Sequence, residues 1–151
     1  MKNYFFLKYE IEKFKKIITE KEIKNWTDKV LKELSLKNSS FSLLFNTKKS
    51  MIKLNEKYFK INHPTDVISF SQIEGEKIDY INSKFLGDIV ICIPEAINYA
   101  RAKNHPVKNE IFLLILHGIL HLLGYDHVTD NGQMTKLQNS IFLKLTGENI
   151  E

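Results

Sequence analysis

A single cysteine (Cys92), three prolines and six glycines are spread over the 151 residues. One thiol forms no intramolecular disulfide, and it excludes a cysteine-built zinc cluster or an iron–sulfur site. Any metal must be held by His, Asp or Glu. Long apolar runs are missing too. The longest, Ile111 to Leu123, carries two histidines and falls well short of the roughly 20 residues a membrane span needs. At the start, Tyr4-Phe5-Phe6-Leu7 is closed by Lys8, too short a stretch for a signal peptide. A cytoplasmic protein without membrane contact is expected. Arginine is almost absent, since the 22 Lys+Arg include only Arg101. With 18 Asp+Glu the formal charge is +4, which suits a polyanionic partner but is equally met by a solvated basic surface.

No repeat, low-complexity tract or Gly/Ser linker interrupts the chain, so one domain over residues 1–151 is expected. Thr19-Glu20-Lys21-Glu22 has the form of a capping box. Ile23, Trp26, Val30 and Leu34 follow at helical spacing, with Lys24, Asp28, Lys29 and Lys32 on the opposite face. Phe41–Phe45 reads as a strand ending at Asn46-Thr47, and Met51, Leu54 and Tyr58 mark the inward stripe of a second helix. Val67–Phe70 and Ile89–Ile93 are β-branched runs. The second is apolar on both faces and is expected to be central, with Cys92 in the core. Pro94 opens a helix to about Lys103, and Pro106 opens a richly apolar one that ends at Gly124. Thr129-Asp130 is expected to cap a last helix bearing Met134, Leu137, Ile141 and Leu145, closed by Gly147. With an N-terminal strand the order is β-α-β-α-β-β-α-α-α: an α+β fold with about four strands in a mixed sheet and about five helices.

The chemistry concentrates in His117-Gly118-Ile119-Leu120-His121-Leu122-Leu123-Gly124-Tyr125-Asp126-His127. On a helix His117 and His121 lie one turn apart on one face and reach one tetrahedral ion. His127 joins them only if the chain turns back, because ten residues of continued helix would carry it about 15 Å along the axis. Gly124 sits where a helix is commonly ended by a residue of positive φ, which permits that turn. Three neutral nitrogens and an open position make a catalytic zinc site, one ion per chain. Isolated histidines on an apolar helix are usually core residues. Two at i, i+4 with a third close behind would be costly to bury without a shared partner. His63 and His105, next to Pro64 and Pro106, are given no role.

The run HGILHLLGYDH, with Leu86-Gly87-Asp88-Ile89-Val90-Ile91, Leu54-Asn55 and Pro64-Thr65-Asp66-Val67-Ile68-Ser69-Phe70, resembles the bacterial YbeY family of zinc-dependent endoribonucleases. The resemblance spans roughly Leu43 to Met134. It implies a single-strand endoribonuclease acting in ribosomal RNA maturation, notably at the small-subunit 3′ end, and in ribosome quality control. Its partners would be single-stranded and ribosomal RNA and small-subunit proteins, not DNA. It also implies zinc on His117, His121 and His127. Members usually carry an arginine directly after the tyrosine between the LN and PTD elements, where this chain has Phe59, followed by Lys60. Phe59 is expected to pack near the end of its helix, and Lys60 to supply the missing cation.

Metzincin proteases share the histidine spacing, but they place Glu directly after the first His as general base, where this chain has Gly118. A zinc protease is thus an alternative without its base. A ribosome-associated RNA-binding module with structural zinc is the other alternative, since a fourth ligand would close the site. Asp126 is the expected catalytic carboxylate, with Asp88 as a second possible orienting group. Lys48, Lys49, Lys53, Lys57, Lys60, Arg101 and Lys103 are available to backbone phosphates; of these Lys57, Lys60 and Arg101 are the expected substrate contacts. Tyr58 or Tyr125 would stack on an unpaired base.

Overall fold

Ile89, Val90, Ile91 and Cys92 are all buried because their strand has a neighbour on both sides and helices on both faces. A computed structural model describes residues 3–73 and 84–150; the remainder of the expected 1–151 domain lies outside the described residues. Elements follow the expected order: β1 (Tyr4–Tyr9), a 3₁₀ turn (Glu12–Lys16), α1 (Glu20–Glu33), β2 (Ser39–Asn46), α2 (Lys48–Phe59), β3 (Val67–Ser71), β4 (Lys84–Cys92), α3 (Ile93–Lys103), α4 (Val107–Leu122) and α5 (Gln133–Thr146). The sheet is ordered β1-β2-β4-β3. β1, β2 and β4 run parallel, β1 being joined to β2 through α1, while β3 pairs antiparallel with β4 at the edge.

Local signals act as the sequence predicts at several points. The Thr19 hydroxyl accepts from the Glu22 N–H at 3.2 Å, and the Glu22 carboxylate accepts from the Thr19 N–H at 3.1 Å, completing the capping box. One sheet face buries Phe41, Leu43, Phe45, Ile89 and Ile91 with the inner stripes of α1, α4 and α5. Trp26 lies parallel to Phe112 and edge-on to Phe142 in this core, and its indole N–H donates to the Phe112 carbonyl at 2.9 Å. On the other face α2 places Met51 and Leu54 over Ile68, Val90 and Cys92. Gly118 lets α4 lie directly on β4: a β-carbon there would meet Ile89 Cγ2 at 2.9 Å.

Three expectations need correction. Tyr58 is not inward but 52% exposed, one side of its ring lying against Phe70 at 5.0 Å between centroids. Among the described residues β3 is the edge strand, and no further strand lies beside it to cover the ring. Phe59 is not packed: it is 50% exposed, since one residue past Tyr58 the helix has rotated about 100° off the stripe. The last helix starts at Gln133, with Gly132 at its N-cap, rather than at Thr129-Asp130. Asp130 nevertheless serves that end, its carboxylate accepting from the N–H groups of Gly132 (2.8 Å) and Met134 (2.9 Å).

Candidate metal centre

α4 is a rigid mount for His117 and His121, because nearly every other residue along its last three turns is buried. The helix stops at Leu122, and Gly124 takes φ +99°, where a side chain would be strained. The Gly124 N–H donates to the His121 carbonyl at 3.0 Å and the Tyr125 N–H to the Leu120 carbonyl at 3.1 Å, which turns the chain back over the helix end. His127 is thereby brought to the other two. One ring nitrogen from each of the three histidines lies within 4.8 Å of the others.

Hydrogen bonds fix how two of the rings present themselves. His117 Nδ1 lies 2.7 Å from Gln138 Oε1, and His121 Nδ1 lies 3.0 Å from the Tyr125 carbonyl oxygen. Both oxygens only accept, so both Nδ1 atoms carry hydrogen. In the neutral rings each Nε2 is then a bare lone pair, and the two Nε2 atoms face each other at 3.1 Å. Burial, with the neighbouring histidines adding to it, pushes both imidazoles below the ordinary histidine range and so favours the neutral form. Two lone pairs at this distance repel unless a cation sits between them. The donor set therefore fits a divalent ion of borderline softness.

The triad opens into a cleft of about 750 Å³, bounded by the Thr65–Ser69 segment, the turn after α4 and the end of α2. Asp66 and Asp126 both line it. Burial, opposed by the Val67 N–H, raises Asp66 above the usual carboxylate range. Asp126 is exposed and held below that range, chiefly by the Val128 N–H donating to its Oδ1 at 2.9 Å. Asp88 is elsewhere, paired with the Ser42 hydroxyl in the sheet. Among the expected substrate contacts, Lys57, Lys60 and Arg101 are exposed but do not line the cleft. Lys60 is the left-handed C-cap of α2, with φ +56°, and the Lys57 ammonium lies 5.1 Å from the Tyr58 ring centroid. Tyr125 and Phe59 do line the cleft.

Two residues of the site, Gln138 and Asp66, are not evident from the sequence. Gln138 carries a signal, as a lone amide amid the Met134, Leu137, Ile141 stripe of α5. His105, expected to have no role, is structural: its ring lies 3.0 Å from both buried Glu110 and Glu148, and Lys103 also pairs with Glu110.

The chain is 39% identical over 140 residues to an endoribonuclease YbeY from Sulfurihydrogenibium sp., covering 91% of this chain and 90% of that one. It is 38% identical over 131 residues to the Syntrophus aciditrophicus protein of the same name (84% and 81% covered), and 36% identical over 135 residues to that of Aquifex aeolicus (87% of each). The solution structure of TM1509 from Thermotoga maritima has the same fold, with a TM-score of 0.64 at 22% identity over 95% of this chain and 89% of that one. Residues 8–146 match the family model described as endoribonuclease YbeY, and the chain belongs to the YbeY family.

Proposed function

We propose that this protein is a zinc-dependent endoribonuclease for single-stranded RNA. The observation that carries the reading is the pair of Nε2 atoms facing each other at 3.1 Å beside a third histidine, at the floor of an open cleft. His117, His121 and His127 would hold one zinc ion. The ion would supply Lewis-acid polarisation of a phosphodiester oxygen and acidification of water.

The chain's own residues do the rest. Gln138 and the Tyr125 carbonyl keep the Nδ1 hydrogens in place and the Nε2 lone pairs directed at one point. Asp126, an exposed carboxylate next in sequence to His127 that lines the cleft, would orient the attacking water and receive its proton. No carboxylate acts from position 118, where even a methyl group would press on Ile89, so the glutamate-based protease mechanism has no counterpart here. Lys57, Lys60 and Arg101 meet RNA phosphates outside the cleft. In the cell the enzyme works in the cytoplasm on ribosomal RNA at the small-subunit 3′ end and in ribosome quality control, alongside small-subunit proteins. That reading rests on the family, and on the absence among the described residues of any helix long and apolar enough to cross a membrane.

Metal analysis joined to cleavage of a short unstructured RNA tests it. The purified protein is expected to carry about one zinc per chain and to cut the RNA but not unfolded casein. His117→Ala, His121→Ala and His127→Ala are each expected to release most of the metal and abolish cutting. Full occupancy in His127→Ala would show that the turn after Gly124 contributes no ligand.

A further inference from the structure

Among the described residues the cleft has no lysine or arginine of its own, whereas Asp66 and Asp126 contribute two carboxylates. A surface meant to follow several phosphates needs several positive charges. This one offers, apart from the metal, two aromatic rings, one from each of two separate elements.

Phe59 ends α2, and Tyr125 lies in the turn after α4; both line the cleft. Their exposures are 50% and 36%. Among the described residues neither ring contacts another ring, and the Tyr125 hydroxyl has no hydrogen-bond partner. Tyr58, next in sequence to Phe59, is occupied by Phe70 on one side and Lys57 on the other. The two rings are mounted firmly. The Tyr125 backbone donates to Leu120 and accepts from His121, which ties the residue that carries the ring to the triad. Phe59 is the last helical residue before the left-handed Lys60. Exposed aromatics at defined positions beside a reactive centre are what unpaired bases stack on, since every base has a π-face.

We propose that Phe59 and Tyr125 are stacking platforms for unpaired RNA bases on either side of the bond to be cut, so that the cleft grips bases while phosphates are met outside it. This rests on the endoribonuclease reading and adds its substrate determinant. Bases in a duplex are already stacked on one another, so a grip of this kind selects single strands. It also turns the Phe59 position to a different use from that of an arginine: a guanidinium there would bind phosphate, whereas a phenyl ring binds only a base.

The test uses the zinc-loaded protein and a short unstructured RNA. Phe59→Leu and Tyr125→Leu keep apolar bulk but lose the aromatic face. Each is expected to raise KM on the order of tenfold, and to lower kcat by less than KM rises. Tyr4→Leu, which removes an equally exposed ring on β1 outside the cleft, is expected to leave KM unchanged. Phe59→Trp adds a reporter against the constant background of Trp26, 4% exposed in the core; the emission of the introduced indole is expected to be quenched on RNA addition and to recover when abasic sites replace the bases flanking the cleaved bond. Unchanged KM in Phe59→Leu, or undisturbed emission from Phe59→Trp with an RNA that is being cut, would overturn the stacking proposal. Quenching without any cutting by the parent protein would instead overturn the endoribonuclease reading and leave stacking standing.

Discussion

Gln138, on α5, accepts a 2.7 Å hydrogen bond from His117, on α4, and so fixes the tautomer of that imidazole from another helix. Outer partners of this kind commonly contribute ten- to a hundredfold to metal affinity. Gln138→Leu is expected to weaken zinc binding by about that factor in competition with a chromophoric chelator. Gln138→Glu puts a full negative charge behind the ring, makes Nε2 a better donor, and is expected to tighten binding. If both variants bind zinc as the parent does, Gln138 does not support the ligand.

That hydrogen bond also marks the limit of what the chain discloses by itself. The capping box at Thr19, the doubly apolar β4 and the glycine stop at 124 are local or periodic signals, and each reappears in the fold. The three histidines are legible for the same reason: two share a helix face, and the third follows a residue suited to a sharp turn. Gln138 reaches His117, and Asp66 the cleft, through packing of α5 and the segment before β3, and spacing within their own segments says nothing of that. Phe59 illustrates the converse. Its apolar character pointed to the core, yet the end of α2 displays both Tyr58 and Phe59, and hydropathy does not separate a packed ring from a displayed one.

Gly118 is held by Ile89, not by helix preference. In an exposed helix Gly→Ala would gain about 1 kcal/mol. Here the new β-carbon would come within 2.9 Å of Cγ2 and 3.0 Å of Cδ1 of a fully buried isoleucine, and overpacking of a dense core typically destabilises by about 1–3 kcal/mol. Gly118→Ala is therefore expected to lower the denaturant midpoint. Combined with Ile89→Ala it is expected to destabilise by less than the sum of the two single changes, because the cavity accepts the methyl group. Additive losses would show that the two side chains do not compete for the same space.

Cys92 is fully buried, and burial pushes its thiol up to about 11. In the folded protein at pH 8 the group is a shielded thiol, not a thiolate, and a disulfide reagent is expected to label it only at the rate of unfolding. The same shift sets a sign for stability. An unfolded chain loses this proton near pH 8.5 and the folded one near 11, so the contribution is fully present below 8.5 and declines between the two values, by at most about 1.4 kcal/mol per pH unit. Cys92→Ala is expected to be less stable at pH 7 but to lose less stability than the parent on going to pH 10, as read by urea melts at both pH values.

One substitution separates the capping role of the Lys60 backbone from the phosphate contact proposed for its side chain. Its backbone adopts φ +56° and ψ +34°, the left-handed state that ends α2, while its ammonium is exposed beside Phe59. Glycine takes that conformation more cheaply than lysine, by about 1 kcal/mol, so Lys60→Gly is expected to raise stability slightly. Removing the charge is expected to have the opposite effect on RNA. Neutralising one phosphate fewer on a single strand reduces the log–log salt slope of binding by about 0.7, and the weaker binding is expected to raise KM with kcat nearly unchanged. A variant that melts at a higher temperature yet binds RNA more weakly, with the shallower slope, would separate the capping role of the backbone from the electrostatic role of the side chain. Unaltered binding and slope would leave Lys60 only the cap, and the phosphates would then rest on Lys57 and Arg101. Arginine at position 59 extends the test. Phe59→Arg removes the stacking ring while adding a cation, so it is expected to raise KM for an unstructured RNA as Phe59→Leu does, and to steepen the salt slope that Lys60→Gly makes shallower.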